Sequence, residues 1–331
     1  MELSIIFQGS LSHLKTREQQ SELVDNILHL KKNNPQCEIL ISTWEGEKTS
    51  YLKSIVDKII MSKDPGTLPG LKFDDKLNNV NRLIVSSQAG VTAAKGKIIV
   101  KLRSDLKFFL NDIVNFYRSE IDKYSSISPD TFGNKVICSN LFTLDPVFVE
   151  RMPYHIGDWI QIGEAEDIKR MWNIPLYQRT DALHYNFNKF AKNSNYLEKQ
   201  FQSKFAVEQY LTIEFAKNFG KKIGIRYHND YKNGNIKDFY SFLTSNYIIK
   251  DMRSLRLIND KYRYFNNSLF YKAACISESR YNLIYNLCKN NNSWIRTDIY
   301  GFFIGLIGTT LTKLKKLKSR VKFVKSILTK I

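Results

Sequence analysis

The sequence predicts an α/β protein built on a mostly parallel sheet flanked by helices, with a C-terminal helical extension. Three observations point there. Short runs rich in β-branched residues recur at Leu3–Phe7, Glu38–Ser42, Lys58–Met61 and Lys97–Leu102, the length and character of strands buried on both faces. Helical patterns separate them, at Thr16–Leu30 and Asn78–Ala94. Each run then ends in polar or glycine-containing residues, where the chain leaves the sheet. Right-handed crossovers place such ends on one rim, and open α/β sheets bind ligands beyond the carboxyl ends of their strands.

Leu3–Phe7 runs into Gln8-Gly9-Ser10, where a glycine lets the backbone approach a ligand closely. A plain tight turn accounts for it equally. The following helix has Thr16 as its cap and Leu23, Ile27 and Leu30 on its apolar face. Glu38–Ser42 leads into the polar run Thr43–Glu47, and Leu52–Val56 has a short helical pattern. Lys58–Met61 ends at Ser62-Lys63-Asp64-Pro65-Gly66. Asp64 could accept hydrogen bonds from a base or ribose, although Asp-Pro-Gly is also ordinary turn chemistry. The next helix carries Arg82. The fourth strand gives way to Arg103-Ser104-Asp105. There a carboxylate can hold Mg²⁺ or Mn²⁺ against a diphosphate and a guanidinium can clamp phosphate oxygens; an Arg-x-Asp surface ion pair is the simpler alternative.

Beyond this point the pattern gives a helix over Leu106–Tyr124, a strand over Lys135–Leu144, and a polar–aromatic patch at Tyr154–Trp159. A helix at Glu164–Trp172 has an acidic first turn. A loop at Asn186–Asn195 precedes a helix at Lys204–Phe219, closed by Gly220. Lys222–Tyr227 has strand character and ends at His228, whereas Tyr231–Trp294 shows no clear pattern. The organisation expected is a nucleotide-binding domain over 1–230, a mixed part over 231–297 packing on it, and a tail over 298–331.

That tail is apolar over Ile299–Leu311, about a dozen residues and short of the ~20 needed to span a bilayer. From Leu311 the apolar positions Leu314, Leu317, Val321, Val324 and Leu328 recur at three-four spacing, among Lys313, Lys315, Lys316, Lys318, Arg320, Lys322, Lys325 and Lys330. A basic amphipathic helix of this kind suits an anionic membrane surface. A coiled-coil strand is the alternative, but its basic residues would repel a parallel copy.

In the 331 residues, 50 Lys and Arg against 32 Asp and Glu give a net charge of +18, which calls for acidic partners. Nucleic acid is not expected, because the positive residues concentrate in the tail and no groove-reading motif is present. The four cysteines have no Cys-x-x-Cys spacing, so reduced thiols are expected rather than a zinc site or disulfides. The first residues lack a basic start and a long apolar run, unlike a signal peptide.

Taken in order, the segments Ile6–Gly9, Ile41–Gly46, Ser62–Gly66, Asn79–Arg82, Lys101–Asp105, His155–Trp159 and Glu208–Leu211 resemble the WavE lipopolysaccharide synthesis family, over roughly Met1 to His228. That resemblance implies a GT-A-like, Rossmann-type fold and a bacterial glycosyltransferase. In such folds an Asp-x-Asp binds the donor diphosphate through a metal; here Arg103 stands at the first position and Asp105 at the second. Asp105 would therefore hold Mn²⁺ or Mg²⁺, while Arg103 and Lys101 could neutralise the diphosphate without it. The fold also implies a carboxylate facing the acceptor as general base, for which Glu208 and Asp158 both fit. A late metal-binding histidine would be His228.

Together these imply transfer of a sugar from a nucleotide-diphosphate donor to a lipid-linked glycan acceptor, in lipopolysaccharide or capsule synthesis. Donor binding falls to Gln8, Gly9, Asp64, Arg82, Arg103 and Asp105, and acceptor binding to His155 and Trp159. The enzyme would sit in the cytoplasm, peripheral on the inner face of the plasma membrane. A phosphotransferase acting on a surface glycan and a basic nucleic-acid-binding protein are the alternatives.

Overall fold

The computed structural model describes residues 1–74, 76–231, 233–260, 273–290 and 299–328. Four strands, β1 (Leu3–Gln8), β2 (Glu38–Trp44), β3 (Lys58–Ser62) and β4 (Ile98–Arg103), pair in parallel in the order β3-β2-β1-β4. Between them run α1 (Arg17–Asn33) and α2 (Val80–Ala93). Thr16 caps α1 as expected, in a reciprocal capping box with Gln19. Helix α2 lies so close on the sheet that a Cβ at Gly90 would stand 2.6 Å from the Ile6 side chain.

Two short elements then cross over. β5 (Lys107–Phe108) precedes α3 (Ile113–Lys123), and β6 (Val136–Ser139) leads through the polar–aromatic patch to β7 (Ile160–Glu164). Strand β7 runs antiparallel to β4 and β6, and it begins at the rim where the parallel strands end. Its reversed direction carries Asp158 and Trp159 to the strand-end rim. The chain continues through α4 (Ala165–Trp172), the single turns α5 (Arg179–Ala182) and α6 (His184–Phe187), α7 (Val207–Asn218) and α8 (Asn233–Asn246). β8 (Tyr247–Lys250) closes the sheet parallel to β6, giving the order β3-β2-β1-β4-β7-β6-β8. The sheet thus draws on residues beyond 230. β9 (Leu257–Ile258), α9 (Glu278–Lys289) and α10 (Ile299–Leu328) follow. One large apolar core runs under the whole sheet.

Several expected elements differ. Leu52–Val56 is no α-helix; a single 3₁₀ turn at Ser50–Leu52 suffices before Asp57 ties the loop back to the Ile39 amide. The helix from Leu106 starts only at Ile113. The Asn26 side chain brackets Phe108, accepting from its N–H and donating to its carbonyl, and this holds β5 extended against β9. The strand over Lys135–Leu144 stops at Ser139, where the chain turns and Phe142 takes a φ of +60°. Lys222–Tyr227 forms no strand: the Arg226 N–H and guanidinium both donate to Asp230 instead of a ladder.

Candidate active site

The parallel strand ends, the start of β7 and the first turn of α7 enclose one cleft of about 1160 Å³. Gln8, Gly9, Asp64, Arg82, Arg103, Asp105, Asp158, Trp159 and Glu208 all line it. Of the residues read from the sequence as donor-binding or catalytic, every one except Lys101 is brought to this single hollow, from positions up to two hundred residues apart.

On the donor side, Gly9 follows β1 with a φ of +111°, where a side chain would be strained, and donates its N–H to the Ser42 carbonyl at 2.9 Å. Gln8 accepts from the Ser86 hydroxyl at 2.7 Å. Two guanidinium–carboxylate forks face this floor. Arg82 donates to both oxygens of Asp64, at 2.8 and 2.6 Å, and these hydrogen bonds, with its charge, hold that carboxyl below its usual range. Arg103 donates to both oxygens of Asp105, at 2.9 and 2.6 Å, and stacks over the Trp159 ring at 4.1 Å. The simpler reading of Arg-x-Asp as an ion pair therefore holds, but the pair sits inside the cleft rather than on an outer surface. Planar forks of this kind are suited to exchanging a carboxylate for a phosphate.

Lys101 does not reach the cleft. It is wholly buried, donating from Nζ to the Asp158 carbonyl at 2.7 Å and to its carboxylate at 3.1 Å, above the Trp172 ring. Burial pulls its pKa down while Asp158 opposes that. The expectation that Lys101 neutralises a diphosphate gives way to a structural partnership with Asp158.

Glu208 lies in the first turn of α7. Buried Gln209 pins that turn by donating to the carbonyls of Pro153 and His228. Glu208 Oε2 lies 3.3 Å from His155 Nε2. His155 is buried, and its Nδ1 sits 2.8 Å from the Phe142 carbonyl. A carbonyl only accepts, so Nδ1 is the ring nitrogen that donates, and Nε2 is the one that faces the Glu208 carboxylate. Burial pushes the Glu208 carboxyl up; His155 draws it back, and Asp158 adds to the rise. A carboxyl raised by burial in this way is suited to act in proton transfer. His155, expected among acceptor-binding residues, stands behind Glu208 and lines a neighbouring pocket rather than the cleft itself.

His228 is not brought to Asp105. It is fully buried outside the cleft lining, with Nε2 3.1 Å from the Glu198 carbonyl and its ring stacked 4.5 Å from Phe201. Burial lowers its pKa to about 3. The unfolded chain binds the proton more readily, so the stability from this residue is present above its unfolded pKa and is lost as pH falls through the folded one. His228→Gln is expected to flatten the loss of stability between about pH 6.5 and 3, as measured by urea unfolding at several pH values; an unchanged pH profile would contradict this.

Among the described residues no three His, Cys, Asp or Glu side chains converge as a metal cage. Mg²⁺ and Mn²⁺ are commonly held by one or two carboxylates together with substrate phosphates. Asp105 fits that sharing arrangement, with Arg103 as the competitor for its oxygens.

Fold and cleft together define an α/β protein with a seven-stranded, mostly parallel sheet and a polar hollow at its strand ends. The model of the WavE lipopolysaccharide synthesis family matches residues 3–316, and the chain belongs to that family. A comparison with curated proteins found no match. Among solved structures, the chain is similar to S. aureus TarS 1–349 in complex with UDP, at 10% identity and a TM-score of 0.34, over 66% of this chain and 56% of that one. The chain spans 34% of a longer TarS structure. It is also similar to apo mouse xyloside xylosyltransferase 1 (11%, 0.33, over 76% and 85%). A third is apo glycosyltransferase GlyE of Streptococcus pneumoniae TIGR4 (10%, 0.35, over 90% and 64%).

Proposed function

We propose that this chain is a glycosyltransferase that moves a sugar from a nucleoside-diphosphate donor to a glycan hydroxyl in surface-polysaccharide synthesis. The observation that carries this reading is the meeting of the Arg82–Asp64 and Arg103–Asp105 forks with Glu208 in one cleft. Family membership supports the polysaccharide setting.

The base and ribose rest on the Gln8–Gly9 floor beside Asp64. On donor binding, Arg82 and Arg103 turn from their carboxylates to the diphosphate. Glu208 takes the proton of the acceptor hydroxyl, whose oxygen bonds to the anomeric carbon as the bond to the diphosphate breaks. The two guanidinium groups take up the charge of the leaving group. Asp105 would hold Mn²⁺ or Mg²⁺, which supplies further charge neutralisation at the diphosphate. Trp159 keeps Arg103 in plane by stacking.

Arg103→Ala is expected to weaken nucleoside-diphosphate binding about 10- to 100-fold, the worth of a charge-assisted fork. It should also make binding more dependent on Mn²⁺, because Arg103 no longer competes for the Asp105 oxygens. Titration of UDP, GDP, CDP and dTDP with and without Mn²⁺ measures both. If wild type binds none of them, or Arg103→Ala binds as tightly as wild type, the site assignment is wrong.

The reading extends to the membrane surface through α10. Phe302, Phe303, Leu306, Ile307, Leu314 and Leu317 are exposed along one side of this helix, with Lys313, Lys315, Lys316 and Lys318 exposed beside them. The side chains of Arg320, Val321, Lys322, Val324, Lys325 and Leu328, and all of Lys330, lie outside the described residues. No helix among the described residues is long and apolar enough to cross a membrane. At about 1 kcal/mol per basic residue near an anionic surface, changing the four named lysines to Gln is expected to lower affinity for phosphatidylglycerol vesicles up to ~1000-fold at low salt. Affinity unchanged in co-sedimentation would refute the surface role.

A further inference from the structure

A second pocket of about 240 Å³ meets the cleft at Glu208 and Leu71, which line both. Its walls are apolar: Phe142, Leu144, Phe148, Met152, Phe201 and Ala274 among them. Its polar residues are already engaged. Lys72 pairs with Glu150, Arg151 forks onto Glu198, and Asp145 is held by Arg280 at 2.8 Å. A pocket so lined gives a charged or hydroxyl-rich guest few free partners, and an apolar one a favourable place.

Helix α10 leans on the outside of the same wall. Ile304 and Leu311 pack on the Phe148–Val149–Ala274 cluster, and a Cβ at Gly308 would come within 3.1 Å of Phe148. The side of α10 that carries Ile304, Gly308 and Leu311 therefore adjoins the pocket's wall, while its exposed apolar side faces away from it, and Glu208 lines both the pocket and the cleft.

We propose that this pocket takes the alkyl or polyprenyl portion of a lipid-linked acceptor, next to the sugar whose hydroxyl meets Glu208. The inference rests on the proposed transfer reaction. A base must stand within hydrogen-bond reach of the hydroxyl it deprotonates. The donor fills the cleft on the strand-end side of Glu208, so the acceptor's body extends to the other side, where the apolar pocket lies. The chain then leaves toward α10 and the bilayer surface, which sets both the acceptor class and the enzyme's orientation on the membrane.

An octyl glucoside carrying a diazirine at the chain terminus, used below its micelle concentration on the 331-residue chain, tests this without knowledge of the true sugar. Irradiation and peptide mapping are expected to place adducts on Leu144–Met152 and Phe201. Leu144→Trp, which fills the pocket from a half-buried position, should reduce them at least tenfold while leaving the melting temperature and UDP, GDP, CDP and dTDP binding unchanged; Leu144→Ala should retain them. Adducts confined to the exposed side of α10, or unchanged by Leu144→Trp, would overturn the proposal. Nucleotide binding is read in the same samples, so its loss would count against the transferase reading and misplaced adducts against the pocket alone.

Discussion

Glu208→Gln is expected to reduce sugar transfer about 10²- to 10⁴-fold, the usual worth of a general base, while nucleoside-diphosphate binding stays within twofold of wild type. Gln keeps the shape and the contact to His155 but cannot accept a proton. The same substitution has a second signature. The folded state raises the Glu208 carboxyl, mainly by burial, so it binds a proton that the unfolded chain releases. The stability this group contributes is full below the unfolded pKa and is lost as pH rises through the folded one. Glu208→Gln should therefore leave stability at neutral pH unchanged or higher. Wild-type transfer should fall on the acid side, as Glu208 is protonated, at a pH above the ordinary carboxylate range. An equal loss of rate and stability would mean that Glu208 acts structurally.

The largest stability effect is expected at Lys101. Lys101→Met leaves the Asp158 carboxylate, only 6% exposed, without its buried cation, and breaking a buried pair from one side costs about 3–5 kcal/mol. Adding Asp158→Asn removes the orphaned charge, so the double variant should be more stable than Lys101→Met alone. Urea unfolding of the four proteins measures this cycle. If the two losses simply add, the pair is not coupled. Asp158 also lines the cleft and raises the Glu208 carboxyl. The cycle reports its role as anchor of Lys101, and transfer rates of Asp158→Asn beside Glu208→Gln test the proposal that Glu208 is the base.

The parallel half of the sheet was legible in the sequence because each strand is a compact β-branched run and α1 and α2 carry amphipathic helical patterns between them. Strand β7 was hidden, because Ile160-Gln161-Ile162-Gly163-Glu164 joins a polar patch to a helix with no turn between them. Strand β8 directly follows α8, so four residues carried no boundary signal, whereas Ile223 and Ile225 alternate like a strand in a segment with no ladder partner. Asp64, Arg82 and Asp105 could be found because they follow strands or open a helix at a shared rim. The pairing of Lys101 with Asp158, and of His155 with Glu208, joins residues more than fifty positions apart through an antiparallel strand and a helix start that only the folded chain displays.

A crystal structure of the protein grown with a nucleoside diphosphate that binds in titration tests the central claim most directly. The expected density places the diphosphate between Arg82, Arg103 and Asp105, with the base beside Gln8 and Gly9 and both guanidinium groups turned from their carboxylates. A nucleotide bound elsewhere, with both arginine–carboxylate forks intact, would contradict it.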